Sequence, residues 1–494
     1  MRTVTGSTLL AAAVAAVSLI LVTPPAGAQS ATEPTAAELA EQIRTLKREY
    51  EARIGALESQ LSVLESRAQD AEQESATPAR ASRPVSDNAF NPAIGVVLNG
   101  MISEYSADES EIPGFPTGHE SERPARGLSL GHSEITMSSS IDDKFFGSLT
   151  LGLGVHPGEP TELELEEAYI QTLPGAGLPE GMRIKAGRAL WTFGYLNEQH
   201  RHGDDFADRP LPYRTFLDSA YNDDGAELSL VLPSDLYSEI GAGLFRGDDT
   251  PFGGSNDGLD AWSVYTRFGG DFGRDSAWRV GAYVLSGEAH ERGGGHAHGD
   301  EDMHHEDDHD DDDHDDDNHH DDDGHDDDDD HDDEHGHSEF FSEGMFSGDT
   351  RLYALDFRST WAPTGNARER ELILQGEYFW RTEKGTYELA AEGDEEVGES
   401  EYFDTTSRGW YAQAIYKFLP RWRIGARYSQ LLPSNEMELD HDPTAVAAMI
   451  DWTNSEFSRV RLQYTRESLA EDEDDNQIML QYITSLGAHP AHTF

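Results

Sequence analysis

Twelve histidines lie among acidic residues in residues 296–337, a segment of 42 residues that holds 24 Asp and Glu and no Lys or Arg. Imidazole nitrogens and carboxylate oxygens are ligands for Zn²⁺ and other divalent transition metals. Since this composition cannot build a hydrophobic core, we expect an unfolded segment with many overlapping weak metal sites. The alternative is an acidic, solvated loop that only repels its neighbours. The histidines are His296, His298, His304, His305, His309, His314, His319, His320, His325, His331, His335 and His337.

A second group of possible metal ligands lies between Leu196 and Asp224. A His-x-His pair next to carboxylates in an irregular segment could form one defined metal site. Arginines are interleaved with these residues, so ion pairing that merely fixes the segment is the alternative. The candidate ligands are His200, His202, Asp204, Asp205 and Asp208, with Glu198 close by; the arginines are Arg201, Arg209 and Arg214.

Two rows of charge lie on segments that alternate apolar and polar residues. Alternation sends every second side chain of a strand to the same face, so each row is predicted to line a pore. The acidic row is Glu162, Glu164 and Glu166, and the basic row is Arg423, Arg427, Arg459 and Arg461. Facing each other, the rows would create a transverse field that orients small polar solutes. A polar lining without selectivity is the alternative.

The sequence contains none of the common signatures of an enzyme. It has no Gly-rich phosphate loop before a helix, no nucleophile elbow and no His-Glu-x-x-His helix. In the sequence His132-Ser133-Glu134, strand alternation sends Ser133 to the opposite face, so no nucleophile and base can meet there. We therefore predict no catalytic residue and no organic cofactor.

The two-residue period that positions these side chains begins near Asn88 and continues to the end of the chain. We find about 16 segments with one apolar and one mostly polar face, as expected for half-buried strands. They are residues 93–105, 127–141, 144–154, 161–173, 181–192, 225–233, 235–246, 259–269, 276–288, 351–362, 370–384, 402–418, 421–432, 442–453, 456–466 and 476–486.

Two all-β architectures could use such strands. A soluble sandwich hides its apolar faces inside, whereas a transmembrane barrel turns them toward lipid. The connections alternate between short and long, with exceptions such as 155–160, which is short where a long one is expected. An even number of strands with alternating connections is the rule for outer-membrane barrels. We therefore predict an all-β, transmembrane antiparallel β-barrel of about 16 strands with both ends of the barrel chain in the periplasm.

The overall composition excludes several other classes of protein. A net charge of −60 over 494 residues argues against a nucleic-acid binder. The absence of cysteine excludes disulfides and thiolate metal sites. After residues 1–28, which have the charge, apolar stretch and Ala-Gly-Ala site of a secretory signal peptide, no apolar run is long enough to span a membrane as a helix.

Three further segments follow the signal peptide. Residues 36–68 repeat apolar residues at steps of three and four, which predicts a periplasmic coiled coil and favours a homotrimer. A solvated single helix is the alternative. Residues 69–87 resemble an extended linker, and residues 88–494 form the predicted barrel, with a disordered extracellular loop at 290–350.

Several strings resemble a proteobacterial outer-membrane family whose members carry labels such as zinc-regulated TonB-dependent outer-membrane receptor. They include NAFNPAIGVVLNG (88–100), GLSLGHSEITMSSSID (127–142), EEAYIQTLPG, GYLNEQHRHGDDFADRPLPYRTFL (194–217), GWYAQAIYKFLPRWRIGARY and the ending SLGAHPAHTF. The resemblance implies zinc as a ligand or substrate, TonB as a possible partner, and an inward-folded loop after the fifth strand. The residues before the first strand show no folded plug, so we expect a porin-like barrel with a stalk.

Three functions remain open at this point. The first is an outer-membrane channel or receptor for divalent metal, with zinc favoured, in which the His/Asp-rich loop concentrates the ion. The second is a general or anion-preferring porin in which that loop is only a metal buffer. The third is a structural protein whose stalk ties the outer membrane of a Gram-negative cell to its wall. The sequence predicts lipid and divalent metal ions as partners, but leaves the physiological metal and TonB dependence open.

Overall fold

A computed structural model describes residues 92–107, 110–154, 162–253, 258–293, 337–389, 399–471 and 473–487. They belong to the second of two units in the chain, Asp87–Phe494. The predicted signal peptide, coiled coil and linker, and the metal-binding segment up to residue 336, lie outside the described residues. Among the described residues, no helix has both the length and the apolar character that crossing a membrane requires.

The described residues form one closed antiparallel sheet in which strands pair in chain order, β2 and β3 both pair with β1, and β1 also pairs with β17. The strands are β1 Ala93–Tyr105, β2 Gly127–Leu130, β3 Ser133–Ser140, β4 Phe145–Gly154, β5 Glu162–Thr172, β6 Met182–Leu190, β7 Asn222–Val231, β8 Tyr237–Phe245, β9 Ala261–Asp271, β10 Ser276–Arg292, β11 Met345–Trp361, β12 Glu371–Glu388, β13 Ser400–Leu419, β14 Trp422–Leu432, β15 Thr444–Ser455, β16 Ser458–Ala470 and β17 Glu473–Gly487. Since β2 and β3 both pair with β1, they form one interrupted strand. The predicted 16-stranded barrel is therefore confirmed.

Helices are few and short in this part of the chain. Two α-helices span Leu211–Phe216 and His337–Glu343. Four 3₁₀ turns span His119–Ser121, Leu196–Glu198, Arg201–Gly203 and Asn435–Met437. All of them lie in connections between strands, so none interrupts the sheet.

The strands turn their apolar faces outward, as a transmembrane barrel requires. On β16 the exposed side chains include Leu462 and Tyr464, whereas Arg461, Gln463 and Thr465 point inward and are buried. Exposed aromatic side chains ring the end of the barrel where the connections are short, at the height of a membrane interface. They are Phe145, Tyr237, Phe272, Trp361, Trp422 and Phe457.

The connections alternate in length as predicted, with one correction. We call the two ends of the barrel the short-turn end and the long-loop end. Residues 467–475 were expected to form a long loop, but β16 continues to Ala470 and β17 begins at Glu473. At the same end, β10 to β13 are longer than predicted, and β13 reaches 20 residues. Gly95 pairs with Gly487, so the chain enters and leaves the barrel at the short-turn end.

The connection between β6 and β7, residues 191–221, lies inside the barrel, and we call it the inward loop. Its two ends are tied together by Asn197, whose amide donates to the carbonyls of Trp191 and Tyr221 at 2.7 and 2.9 Å. Its helix packs against the wall, with the Tyr213 and Phe379 rings 5.3 Å apart. The inward loop therefore divides the lumen, as the family resemblance implied.

A buried carboxylate anchors the first turn of the inward loop. Glu377 of β12 accepts hydrogen bonds from the backbone N–H of Tyr195 at 2.9 Å and from the hydroxyls of Tyr213 and Tyr411 at 3.0 and 2.5 Å. Gly194, at φ 74°, passes close by, and a Cβ there would collide with Glu377 and Tyr213. The turn after β6 is thus fixed to the opposite wall.

Candidate metal centre

The interruption between β2 and β3 directs two chemically useful side chains into the lumen. Gly131 leaves the regular ladder and its N–H donates to the Asn99 carbonyl at 2.7 Å, while Ser133 Oγ accepts from the Asn99 N–H at 3.1 Å. A Cβ at Gly131 would lie 2.7 Å from the Asn99 side chain. His132 and Glu134, which flank Ser133, both point inward, and the Glu134 side chain is only 1% exposed.

A β-bulge on β5 adds two more carboxylates. The register with β4 shifts between Thr150 and Leu151, which pair with Glu167 and Leu165 and leave Glu166 as the extra residue. A bulge re-aims side chains that strict alternation would send to opposite faces. Glu166 and Glu167, although adjacent in sequence, therefore both contact groups inside the barrel.

The inward loop brings two histidines to these carboxylates. His200 precedes the 3₁₀ turn Arg201–Gly203, and His202 lies within it. The two imidazole rings stack with centroids 5.7 Å apart and an interplanar angle of 26°. Side chains two residues apart thus face the same wall, which an extended or tightly turned loop permits.

Six side chains meet at this point, and we call them the lumen cluster: His132, Glu134, Glu166, Glu167, His200 and His202. Glu134 Oε2 lies 3.0 Å from His200 Nδ1, and Glu134 Oε1 lies 3.0 Å from His202 Nδ1. His200 Nε2 lies 3.2 Å from Glu167 Oε2. His132 Nε2 contacts Glu166 Oε1 and lies 3.5 Å from Glu134 Oε1.

These separations suit a tetrahedral metal ion. Ligands bound to zinc at about 2.0–2.2 Å with tetrahedral angles stand about 3.3–3.5 Å apart. Ligand atoms of His132, Glu134 and Glu166 all lie within 4.8 Å of one another. Small movements of side chains would therefore place them around one ion.

The electrostatics of the lumen cluster also favour a cation. Burial disfavours a charged imidazole, but the carboxylates of Glu134, Glu166 and Glu167 outweigh burial and raise the pKa of His200 well above its ordinary value. Two buried carboxylates and the half-buried Glu166 need positive partners. Without a metal ion, a proton on His200 supplies part of that charge, and a bound ion would displace it.

Two cavities border the lumen cluster from opposite sides. A small one of about 100 Å³ is lined by His132 and by residues of the 106–126 connection at the long-loop end, such as Glu122 and Arg123. A larger one of about 550 Å³ is lined by His200 and His202 and by residues near the short-turn end, including Arg368 and Lys417. We call them the outer and the inner cavity. Arg201 lines the outer one and forms an ion pair with Glu120.

The three aspartates predicted to join His200 and His202 bind arginines instead. The ion pairs join Asp204 to Arg209 at 2.9 Å, Asp205 to Arg423 at 2.8 Å and Asp208 to Arg427 at 2.7 Å. Glu198 pairs with Arg267. Carboxylates of the loop thus serve to attach it, while the carboxylates near the histidines come from the wall.

The basic row faces inward as predicted, but the inward loop covers it. Arg459 Nη2 donates to the His202 carbonyl at 2.7 Å, and Arg461 Nη2 donates to the Asp204 carbonyl at 2.5 Å. Both side chains are 1% exposed. Arg423 and Arg427 bind the aspartates named above. These arginines clamp the loop instead of facing an open lumen.

The acidic row and the basic row lie on strands that are five to seven positions apart around the barrel. Glu166 belongs to the lumen cluster, Glu164 also points inward, and β5 begins at Glu162, whose side chain is not described. Strands β17, β1, the interrupted strand and β4 separate this row from Arg459 and Arg461 on β16. The inward loop crosses between the two rows. An electric field between them therefore acts on the loop before it acts on a solute in the lumen.

Sequence reasoning named His200, His202 and Glu166 but placed them in separate groups. It noted that His132 and Glu134 share a face, which is the signal that could have joined them to a metal site. Glu167 was missed, since strict alternation sends it outward and only the bulge turns it in. Of the His-rich segment, the described part begins at His337, the first residue of the helix His337–Glu343.

The architecture is that of a transmembrane β-barrel whose lumen is narrowed by a loop that carries histidines. No protein-family model matches the sequence. An uncharacterised protein of Aquifex aeolicus (strain VF5) is 26% identical over 499 aligned residues, which cover 94% of this chain and 87% of that protein. The family suggested by the sequence motifs therefore stays a prediction.

Similar folds occur among solved structures. OmpT, an outer membrane protein of Vibrio cholerae, is 10% identical with a TM-score of 0.45, covering 80% of this chain and 99% of that one. The outer membrane channel DcaP of Acinetobacter baumannii is 11% identical with a TM-score of 0.46, covering 80% and 96%. OprB of Pseudomonas putida is 10% identical with a TM-score of 0.46, covering 80% and 94%.

Proposed function

We propose that the protein is an outer-membrane channel for divalent transition-metal ions, with zinc the favoured ion, and that the lumen cluster is its selective site. The observation that carries this proposal is the meeting of three imidazoles and three carboxylates inside the barrel, at distances of 3.0–3.7 Å. Nitrogen and carboxylate oxygen together suit zinc, copper and nickel better than calcium or magnesium, which prefer oxygen alone.

The position of the lumen cluster supports transport over storage. It lies between the outer and inner cavities, so an ion that crosses from one to the other meets it. A channel site must bind well enough to admit an ion and weakly enough to release it. Adjacent positive groups such as Lys185, whose Nζ lies 4.0 Å from Glu167 Oε1, weaken the site and would favour release.

The His-rich segment fits the same proposal as a collector of ions. It leaves the barrel after β10, which ends at Arg292, and returns at the helix that begins at His337. In that helix Phe341 packs on Phe403 and Tyr387, with ring centroids 4.7 and 4.8 Å apart. Both of its attachments lie at the long-loop end, so captured ions would be released beside the outer cavity.

A general porin remains the second candidate, and one observation favours it. The inner cavity is lined by four basic residues against three acidic ones, and this small excess of positive charge would favour small anions. The basic residues are Arg358, Arg368, Lys417 and Arg423, and the acidic ones are Glu198, Asp205 and Glu371. In that case the histidines and carboxylates of the lumen cluster only pin the inward loop to the wall.

Flux into liposomes separates the two candidates. Purified protein would be tested with zinc and with a neutral sugar, without TonB or any energy source. We expect the double variant His132→Ala/His200→Ala to lose zinc flux and keep sugar flux. The matched control is His441→Ala, a histidine outside the lumen cluster that contacts the Ser468 carbonyl at 3.1 Å. Equal zinc flux in all three proteins would reject the metal channel and favour the porin.

Deleting residues 296–336 tests the collector separately. We expect reduced zinc flux at low external zinc and normal flux at high zinc, because a collector changes only the local concentration of the ion. An unchanged flux at every concentration would reduce the segment to a metal buffer.

A further inference from the structure

We propose that the lumen cluster contains two metal positions that share the same two carboxylates, so that an ion moves from an outer to an inner position without leaving protein ligands. This inference rests on the proposed function and goes beyond it, because a selective site could equally hold one ion at one place.

The first observation is the way Glu134 divides its two oxygens. Its Oε1 lies 3.0 Å from His202 Nδ1 and 3.5 Å from His132 Nε2, and its Oε2 lies 3.0 Å from His200 Nδ1. A carboxylate whose two oxygens face different histidines can bridge two metal positions. Bridged pairs of metal ions in proteins stand about 3.5–4 Å apart.

Glu166 repeats the same arrangement. Its Oε1 contacts His132 Nε2, and its Oε2 lies 3.7 Å from His200 Nδ1. The outer position is therefore formed by His132 with one oxygen from Glu134 and one from Glu166. The inner position is formed by His200 with the other oxygen of each carboxylate.

Each position has three protein ligands, which leaves a fourth place for water. Three protein ligands plus water is the pattern of zinc sites that keep an open coordination position, whereas structural zinc sites have four protein ligands. An ion that moves between the positions exchanges one histidine for the other and stays bound to both carboxylates. The barrier to transfer is lower than that for full release into water.

The two positions face different cavities. His132 lines the outer cavity and is absent from the lining of the inner one, whereas His200 lines the inner cavity. Transfer from the His132 position to the His200 position thus carries an ion from the outer cavity to the inner cavity. The direction of net flow is set by the concentration on each side.

Glu167 acts as a positioning residue for the inner position. Its Oε2 lies 3.2 Å from His200 Nε2, so that Nδ1 of the same ring is directed toward Glu134 and Glu166. A carboxylate on the second nitrogen of a metal-binding histidine fixes the orientation of the ring and its tautomer. The outer histidine has a different neighbour set, so Glu167 serves only the inner position.

Zinc-edge anomalous diffraction from crystals of the full chain soaked in zinc chloride tests this inference directly. In the wild type we expect two peaks in the lumen about 3.5–4 Å apart. His132→Gln should leave only the peak beside His200, and His200→Gln should leave only the peak beside His132. Glu167→Gln should weaken the inner peak and keep the outer one, with zinc affinity about 10–100-fold lower at the inner position.

Three other outcomes are informative. A single wild-type peak that vanishes in both histidine variants would overturn the two-position inference and leave the proposed function standing. No lumen peak in the wild type would overturn the proposed function itself. Loss of both peaks in Glu167→Gln would show that this residue maintains the whole cluster, which contradicts its role at one position.

Discussion

The two faces of the inward loop are held to the barrel by opposite kinds of contact. One face packs aromatic rings against β8 and β12, as with Trp191 on Phe245 at 5.0 Å and Tyr213 on Phe379 at 5.3 Å. The other face binds arginines of β14 and β16, through Asp205, Asp208 and two backbone carbonyls. Both sets of contacts lie inside a barrel whose outer surface faces lipid.

The difference divides the lumen into an apolar side and a polar side. Apolar packing excludes water, so the aromatic face closes its half of the lumen. The ionic face keeps polar groups and the two cavities beside it. The lumen cluster lies beside these cavities, where the loop meets β3 and β5.

The largest expected effect comes from Glu134, the wall carboxylate that both proposed metal positions share. Glu134→Gln keeps the size of the side chain, removes the charge that both proposed positions share, and replaces one of its two oxygen ligands with an amide nitrogen. We expect zinc affinity, measured by calorimetry in detergent on protein lacking residues 296–336, to fall about 100-fold or more, since an ionised group contributes more than a neutral one. Glu388→Gln, at the exposed end of β12, is the control. An unchanged affinity would remove the lumen cluster as a metal site.

The next effect tests whether the arginine clamp positions the histidines. Arg459→Met removes the donor to the His202 carbonyl while keeping a long, apolar stem. We expect the loop near His202 to loosen and zinc affinity to fall about 10-fold, a typical loss when an outer partner of a metal ligand is removed. Arg466→Met, on the exposed face of the same strand, is the matched control. If both variants bind zinc like the wild type, the clamp has no part in the site.

A smaller effect is expected when the aromatic face is released. Glu377→Ala leaves the Tyr195 N–H and the hydroxyls of Tyr213 and Tyr411 without their acceptor, at about 1–3 kcal/mol for each buried group. We expect a more mobile inward loop and a lower thermal unfolding midpoint. The single-channel conductance in planar bilayers should rise about two- to threefold. A conductance equal to that of the wild type would show that the aromatic rings alone hold the loop.

The smallest effect is a pH dependence of the unfolding midpoint, which we expect from the loop between β8 and β9. Asp249 lies between β8 and β9, where burial, with Asp218 and Asp223 nearby, raises its pKa to about 8. An unfolded chain releases this proton near pH 4, so the carboxyl destabilises the fold increasingly as the pH rises from about 4 to 8. Asp249→Asn should therefore raise the unfolding midpoint by a few degrees at pH 9 and by less at pH 5. A difference that does not grow with pH would contradict this assignment.

The barrel was predictable because its signal is local. Period-two alternation of apolar residues, repeated from β1 to β17, specifies strands whose apolar faces need lipid or a core. The alternating lengths of the connections then distinguished a barrel from a sandwich. The prediction was wrong at residues 467–475. Polar residues such as Glu467 led to the prediction of a loop there, although Glu467 is buried and faces the polar lumen.

The candidate site was predictable only in part. The sequence by itself determined that His200 and His202 share a loop, and that His132 and Glu134 share a face of a strand. Only the tertiary structure decided that these two pairs meet, because they are joined across the lumen by a loop whose path depends on contacts with β12, β14 and β16. It also decided that Glu166 and Glu167 point the same way, since a bulge depends on the register of two strands. The sequence thus identifies most of the candidate metal-binding residues, but only the closed barrel brings them together.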